Sequence, residues 1–455
     1  MVDLEGLVRK KLKEGLSDSE ILNLLTETIR YYKKISQQKA SSFAKAIFDE
    51  IKTTFETQSL TDHFLRELIE YPKANISMGE IGVGSRGEGD FFIHRKIAKL
   101  VSENKSMVIG PKAQDDAGVV KAGPYYIAVT VDGTHSRLSE YPFLAGFHVA
   151  RAALRDIYVM GGKPIAMLTD LHLADDGDVG KLFDFSAGVC TISELVDVPL
   201  AAGSTLRVGG DMVLGDRMVS CVGAVGIIEG QPTARRNAVP RDIILMTEGA
   251  GGGTITTTAI YNGYFDVIKE TLNINFIKAC EALIQSNLVK DIHAMADVTN
   301  GGLRGDAWEI SQNANVKLVF NEEAIHSVVN QKVLRMLEKL EIDYLGVSLD
   351  ALITISPRSI ANKIKATFEK TGIKVAEIGY VESGPAKAAL ISQNAEKELK
   401  PLFREAAYTK IKKAVGEEKP SDFEEMKMKV EKALKIALDK KNRTIAWIKT
   451  KEPKN

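Results

Sequence analysis

Residues 130–168 read TVDGTHSRLSEYPFLAGFHVARAALRDIYVMGGKPIAML, and this stretch decides the fold class. It begins at the end of a β-type run, Tyr125–Val131, which is followed at once by Asp132. Apolar residues then recur at helical spacing over about 143–160, and the helical pattern contains Asp156. A strand, a loop and a long helix in this order predict an α/β or α+β domain.

Strand and helix patterns alternate on both sides of this stretch, whereas the two ends of the chain carry only helical patterns. The predicted parts are a helical extension at 1–72, a first α/β unit at 73–235, a second unit at 236–390 and a basic helical extension at 391–455. The second unit opens with the strand Ile243–Thr247, and a last amphipathic helix is expected at 422–438.

The composition is typical of a folded protein, since 44% of the 455 residues are hydrophobic and 26% are charged. The 60 Lys and Arg balance the 60 Asp and Glu, so the net charge gives no general attraction to nucleic acid or to a membrane. We expect no signal peptide and no membrane span. Three widely separated cysteines fit a reducing, cytoplasmic compartment.

A glycine-rich segment at 79–89 (GEIGVGSRGEG) holds Gly82, Gly84 and Gly87 in a GxGxxG spacing. The preceding residues do not make a convincing strand, so the spacing is weak evidence for a dinucleotide site. A glycine loop before a helix can still present backbone N–H groups to a phosphate. A phosphate-binding loop and a flexible surface loop both stay open at this point.

Aspartates at the ends of apolar runs are the more informative feature. They are Asp115 and Asp116 in QDDAGVV, Asp132, Asp156, and Asp297 in AMADVTNGGL. Charged residues are seldom buried unless they are paired or bound to a metal. Because all of them lie at the ends of apolar runs, we expect these carboxylates to converge, and carboxylate oxygens suit Mg²⁺. Each aspartate taken alone is better explained as a turn residue or helix cap. His135 is the one histidine expected near this site.

As an ordered set, these segments resemble the aminoimidazole ribonucleotide synthetase superfamily, which includes thiamine monophosphate kinase, selenide water dikinase and the hydrogenase maturation factor that makes a thiocyanate. The set is Asp-Asp-Ala, a strand ending in Thr-x-Asp, Asp-Ile-x-x-Met-Gly-Gly and Asp-x-Thr-x-Gly-Gly-Leu, within about 79–385. Residues 130–168 are most similar to selenide water dikinase. The resemblance covers neither helical extension.

The resemblance implies a two-domain fold, of which the first domain adds strands to a barrel at a homodimer interface. It also implies ATP as a cofactor, with its triphosphate held by Mg²⁺. By position, the metal ligands would be Asp115, Asp116, Asp132 and Asp156. The residues facing the nucleotide would be Gly82, Gly84 and Gly87 of the glycine loop and Asp297, Gly301 and Gly302 of the second domain.

Two departures from the family pattern bear on the activity. The family usually has Gly-Gly-Asp-Thr or Gly-Gly-His-Thr after the position of Asp156, whereas this chain reads Ala202-Gly203-Ser204-Thr205. Asp211 lies close by in sequence and is a candidate replacement for the missing group. The characteristic cysteines of selenide water dikinase and of the hydrogenase factor are absent, so neither activity is assigned.

Two functional hypotheses follow. The first is an ATP- and Mg²⁺-dependent enzyme that transfers phosphate from ATP to an oxygen of a small metabolite, as a kinase or a synthetase. The second is a nucleotide-binding regulatory or scaffold protein on the same fold. It is suggested by Ser204 and by the helical extensions, which could contact a protein partner. A dinucleotide-dependent oxidoreductase rests on the GxGxxG spacing alone and is disfavoured.

Overall fold

The N-terminal helices come first along the chain in the computed structural model, which describes residues 1–451. Their elements are β1 (Val2–Asp3), α1 (Leu4–Lys13), α2 (Asp18–Tyr32), α3 (Gln37–Phe55) and α4 (His63–Ile69). α1 to α3 pack around a small core that includes Leu25, Ala44 and Phe48. α2 begins at a capping box in which Ser17 and Glu20 each accept the other's backbone N–H.

The first sheet follows, with its helices. The elements are α5 (Met78–Ile81), α6 (Glu88–Ala98), β2 (Met107–Ile109), β3 (Gly118–Ala122), β4 (Tyr125–Gly133), α7 (Pro142–Val159), β5 (Lys163–Leu173), α8 (Gly180–Val196), β6 (Leu200–Arg207), β7 (Val213–Leu214) and β8 (Met218–Ile228). Six strands form the sheet in the order β2-β3-β4-β8-β5-β6, and all neighbours are antiparallel except β5 and β6. The two-residue strands β1 and β7 pair with each other.

Two helices, α7 and α8, cross closely because glycines face each other where they touch. A Cβ added to Gly146 would overlap Phe185 O, and one added to Gly188 would overlap Phe143 O. α7 is buried along almost its whole length, so its few charged side chains must find partners inside the protein. This helix therefore forms the centre of the molecule.

The second sheet belongs to the next part of the chain. The elements are β9 (Ile243–Thr247), α9 (Gly253–Asn262), α10 (Ile268–Thr271), α11 (Asn275–Gln285), β10 (Ala294–Asp297), α12 (Gly302–Ala314), β11 (Lys317–Asn321), α13 (Glu322–Ser327), α14 (Gln331–Lys339), β12 (Leu352–Ser356), α15 (Arg358–Lys370), β13 (Val375–Glu382), β14 (Lys387–Ser392) and β15 (Ala395–Glu398). Seven strands run in the order β10-β12-β9-β13-β11-β14-β15. One hydrophobic core joins α7 to α11 and α15, so the two sheets share buried side chains.

The C-terminal residues return to the first part of the chain as α16 (Lys410–Val415) and α17 (Phe423–Lys451). Phe403, Phe423 and Met426 pack with Ile81 in a core of their own. Near its other end α17 contacts α4, where the Trp447 and Phe64 rings lie 5.3 Å apart. The helix continues well beyond the predicted 422–438.

The predicted fold class, two α/β domains with helical extensions, is confirmed. The helices expected at 143–160 and 275–287 and the strand Ile243–Thr247 are present, whereas β5 and β6 carry polar residues and were not expected. The boundaries between the four parts stay predictions. Within residues 1–451, no helix is both long enough and apolar enough to cross a membrane.

Candidate functional site

Three aspartates from separate elements meet in what we call the acidic cluster. Asp116 lies in the connection between β2 and β3, Asp156 lies in α7, and Asp297 is the last residue of β10. One carboxylate oxygen of each lies within 4.8 Å of one from each of the others. The structure thus brings together two of the predicted metal ligands and one of the predicted nucleotide contacts.

Arginines hold two of these carboxylates in place. Arg235 donates to Asp116 Oδ1 at 2.5 Å, and Arg155 Nε donates to Asp297 Oδ2 at 3.1 Å. The other oxygens, Asp116 Oδ2 and Asp297 Oδ1, are buried and have no hydrogen-bond partner among residues 1–451. A buried unpaired carboxylate oxygen costs stability unless something binds it, so this donor set fits a hard cation such as Mg²⁺.

β4 places two further side chains beside the cluster. Thr130 and Asp132 are two residues apart, so they share one face of the strand, which is turned toward α7. The Thr130 hydroxyl donates to Asp156 Oδ2 at 2.7 Å. Burial away from solvent, together with the negative charge of the Asp297 carboxylate, raises the pKa of Asp132 to about 6. Desolvation and the nearby carboxylates also hold the pKa of Asp156 well above its usual range.

A second layer of ion pairs ties the cluster to α12. Arg235 also donates to Glu309 at 2.6 Å and to Asp306 at 3.3 Å. Arg86, from the glycine loop, pairs with the same two carboxylates. Desolvation raises the pKa of Asp306 to about 7. The glycine loop is therefore fastened to α12 through the Arg86 side chain.

The acidic cluster borders an open cavity of about 340 Å³. A volume of this order suits part of a nucleotide. The lining includes Arg86, His94, Ile97, Asp115, Asp116, Thr130, Asp132, Asp156, Arg235, Thr299 and Glu309. His94 thus lies at this cavity, although the sequence pointed to His135 alone.

The glycine loop contributes Arg86 to the cavity lining, and Gly82, Gly84 and Gly87 are not part of that lining. Asp90 accepts hydrogen bonds from the backbone N–H of Gly84 and of Arg86, at 3.0 and 2.7 Å. A Cβ on Gly87 would overlap Phe403 O of the C-terminal segment. In this structure the loop is therefore packed against the protein's own backbone.

The remaining predicted site residues lie close to the cluster. The Asp115 carboxylate accepts from the backbone N–H of Arg235 at 3.2 Å, and desolvation raises the pKa of Asp115 to about 6. Gly301 and Gly302 have positive φ at the start of α12. A Cβ on Gly301 would overlap Arg86 O, so this glycine lets α12 approach the glycine loop.

Asp132 also borders a second, smaller cavity of about 100 Å³ between the two sheets. His135, His148, Thr254 and Asn300 line it. His135 bonds to the Tyr408 hydroxyl and, at 3.2 Å, to Thr257. Burial lowers the pKa of His135 to about 4, so the ring is neutral at pH 7.

The stretch that departs from the family pattern lies on the edge strand β6. Ser204 pairs in register with Asp170 of β5. Asp211 is 81% exposed, pairs with Arg207 and lies outside both cavity linings in the described chain. The structure therefore does not bring Asp211 to the acidic cluster.

Arg155 and Arg235, which orient the clustered carboxylates, are not among the site residues predicted from the sequence. Arg155 had a visible signal, because an arginine within an apolar helix needs a buried partner. Arg235 lies in the connection before β9 and carries no such local signal.

Two family descriptions match this chain. AIR synthase related protein, N-terminal domain, matches residues 114–228, and AIR synthase related protein, C-terminal domain, matches residues 240–391. The chain belongs to the AIR synthase related family. The first match lies within the predicted unit 73–235, and the second match, 240–391, ends one residue beyond the predicted unit 236–390.

Two relatives in this family differ in their sequence identity to this chain and in how much of it they cover. An uncharacterized protein of Methanocaldococcus jannaschii is 56% identical over 457 residues, which cover 100% of both chains. A selenide, water dikinase of Geobacter metallireducens is 26% identical over 229 residues, which cover 49% of this chain and 64% of the relative. The chain thus spans less than two thirds of that dikinase.

The fold is shared with solved structures, of which two were solved with a bound nucleotide or analogue. The hydrogenase maturation protein HypE in complex with ATP superposes with a TM-score of 0.51 at 21% identity, covering 62% of this chain and 86% of that chain. AaThiL complexed with AMPPCP and TMP superposes with a TM-score of 0.53 at 18% identity, covering 70% of this chain and 97% of that chain. At this identity the likeness concerns the fold.

Proposed function

We propose that the protein is an ATP- and Mg²⁺-dependent enzyme that transfers phosphate from ATP to an oxygen of a small metabolite, as a kinase or a phosphate-activating synthetase. The observation that carries the proposal is the acidic cluster, with an unpartnered buried oxygen on Asp116 and on Asp297. Membership of the AIR synthase related family supports it, as do family-like folds solved with ATP or AMPPCP.

The proposed role of each site residue follows from its charge. Asp116, Asp156 and Asp297 would hold Mg²⁺, and Asp132 at the rim would complete the set. Mg²⁺ neutralises charge on the phosphates of ATP, while the protein positions the reacting groups. Arg155 keeps the Asp297 carboxylate turned into the cluster by holding its other oxygen.

The glycine loop would close over the phosphates from the other side, as the family resemblance implies. Arg86 already points from this loop into the cavity. To offer N–H groups from Gly84 or Arg86 to a phosphate, the loop would have to release Asp90. We therefore propose that the loop rearranges when nucleotide binds, with Gly82, Gly84 and Gly87 allowing the change in backbone shape.

A homodimer completes this proposal. The face of the first sheet opposite α7 exposes Val129, Val131, Leu168, Leu206 and Val219, and Val131 is 64% exposed. A sheet face that exposes several apolar side chains beside an open edge strand is typical of an interface. Replacing Leu206 by Glu should convert a dimer, measured by sedimentation velocity, into a monomer.

Free cysteines and the use of ATP fit a cytoplasmic location.

Nucleotide binding and turnover test the enzyme proposal together. Isothermal titration with ATP and Mg²⁺ should give saturable binding, and ADP release should rise when one member of a metabolite panel is added. Asp156→Asn should weaken binding at least tenfold, whereas Asp211→Asn, which removes an exposed carboxylate, should not. Absence of ATP binding at millimolar Mg²⁺ would reject the proposal.

The second candidate, a nucleotide-binding regulatory or scaffold protein, is favoured by the C-terminal segment that covers the glycine loop. Glu88 N donates to Leu402 O at 2.9 Å, and Arg404 donates to Gly79 O at 2.7 Å. A covered loop and the serine at position 204 suit binding without catalysis. ATP binding with no ADP release against any acceptor, together with a protein partner that binds the extensions, would favour this alternative.

A further inference from the structure

A cavity of about 610 Å³ lies across α6 from the acidic cluster, and we call it the basic aromatic cavity. α6 divides its side chains between the two spaces. Phe91, Phe92 and Arg95 face the basic aromatic cavity, whereas His94 and Ile97 line the cavity of the aspartates. The two cavities are therefore separate.

Aromatic rings form one wall of this cavity. Phe91 and Trp308 are stacked, with centroids 4.9 Å apart and planes 19° from parallel. The Arg95 guanidinium lies 4.4 Å from the centre of the Trp308 ring. Phe91 is 3% exposed and both Phe91 and Arg95 lie against the Trp308 ring, so the rings hold the exposed Arg95 guanidinium at the cavity wall.

The charge of the cavity lining is strongly one-sided. Six Lys or Arg side chains and two Glu side chains line it, in a chain whose net charge is zero. Lys96 and Glu88 have partners outside the lining, Glu431 and Lys419. Within residues 1–451, four of the cations make no ion pair: Arg95, Lys99, Lys387 and Lys400.

Three parts of the chain build the walls. α6 and its neighbour α12 supply the aromatic side, β14 and the end of β15 supply Lys387, Ala388 and Glu398, and the chain after β15 supplies residues 399–401 and Lys427. The C-terminal wall is held by its own core, in which Phe403 and Phe423 pack against residues before and within α6. The cavity is therefore a built space between packed elements.

We propose that the basic aromatic cavity binds a planar organic anion about the size of a nucleoside monophosphate. The volume lies within the range of small-molecule pockets, the Arg95 guanidinium can stack on a flat group, and the unpaired cations offer charge-assisted hydrogen bonds to an anionic group. Such a ligand contacts both domains and the C-terminal segment at once. Binding here needs no divalent cation.

Tryptophan fluorescence gives a local test, since the chain has two tryptophans and Trp447→Phe leaves Trp308 alone. Adenosine 5′-monophosphate is titrated in EDTA, where the proposed triphosphate site has no cation. We expect a saturable change in Trp308 emission, with binding about tenfold weaker or more for inorganic phosphate or adenosine alone. No saturable change at millimolar adenosine 5′-monophosphate overturns the proposal, as does equal binding of phosphate alone.

Charge variants check the location. Lys387→Gln with Lys400→Gln should weaken binding about tenfold, since both are exposed and lose only charge. The matched control, Lys34→Gln with Lys45→Gln, removes two exposed lysines, one from the α2–α3 connection and one from α3, and should change nothing. Asp156→Asn should also bind normally, which separates this site from the proposed ATP site. Unchanged binding by the first pair, or loss of binding in Asp156→Asn, refutes the assignment.

Discussion

Replacing Asp156 by asparagine should make the metal-free protein more stable and should abolish stabilisation by Mg²⁺. Asparagine has nearly the same shape as aspartate, and its side-chain oxygen can still accept the hydrogen bond from Thr130. The substitution therefore removes one negative charge from the acidic cluster and leaves the packing of α7 intact. Stability and cation binding are expected to change in opposite directions.

The distances in the cluster set the magnitude. Two unit charges within 4.8 Å of each other repel by about 3 kcal/mol at an effective dielectric constant of about 20. Arg235 and Arg155 offset part of the charge on Asp116 and Asp297, and the raised pKa of Asp156 lets protonation relieve part of the rest. We expect a net gain of about 1–2 kcal/mol in the free energy of unfolding at pH 7 in EDTA.

Urea denaturation followed by circular dichroism measures this effect. The wild-type protein should gain stability when Mg²⁺ replaces EDTA, and Asp156→Asn should gain almost none. Asp211→Asn serves as the control, because its exposed carboxylate pairs only with Arg207. An Asp156→Asn protein that is less stable in EDTA, yet still stabilised by Mg²⁺, would show that Asp156 is structural and would refute the reasoning.

Three further predictions follow from the same contacts. Because the pKa of Asp132 in the folded protein is raised to about 6, the folded protein binds more protons than the unfolded chain between about pH 4 and about pH 6. Thermal melting in EDTA should therefore show stability falling as the pH rises through this window. Mg²⁺ affinity, measured by calorimetry, should rise over the same window. Arg155→Met leaves Asp297 and Asp350 without this buried partner and should cost about 3–5 kcal/mol in urea denaturation. Gly146→Ala should destabilise by about 1–3 kcal/mol in the same assay, because its Cβ would overlap a backbone oxygen of α8.

Local patterns were sufficient to predict the elements that carry much of the site. The apolar alternation before Asp132 and the helical spacing around Asp156 follow from neighbours a few residues apart, and both β4 and α7 are present. The capping box at Ser17 was predictable for the same reason. β6 was not, since an exposed edge strand has no apolar alternation to reveal it.

Partners far apart in sequence were beyond local patterns. Asp297 joins Asp116 because β10 and the β2–β3 connection meet in space, and sequence spacing alone could not assign it to the metal rather than the nucleotide. Arg235 reaches Asp116 from a linker without any periodicity. The contact between Gly87 and the backbone of Phe403 joins residues far apart in sequence, so it is visible only in the folded chain.

The balance of buried charge explains why this cluster suits a cation better than a purely structural role. In two sets of buried ion pairs, four guanidinium groups pair with five carboxylates, while Asp115, Asp132 and Asp156 make no ion pair within the described chain. With these eight carboxylates ionised, the region has four more negative than positive charges. In the metal-free protein, bound protons can neutralise this excess negative charge, as the raised pKa of Asp132 and of Asp156 indicates. A divalent cation can displace those protons, and it would then present positive charge to the phosphates of a nucleotide in the adjoining cavity. A structural cluster gains nothing from leaving buried oxygens of Asp116 and Asp297 unpartnered, whereas a binding site needs them free.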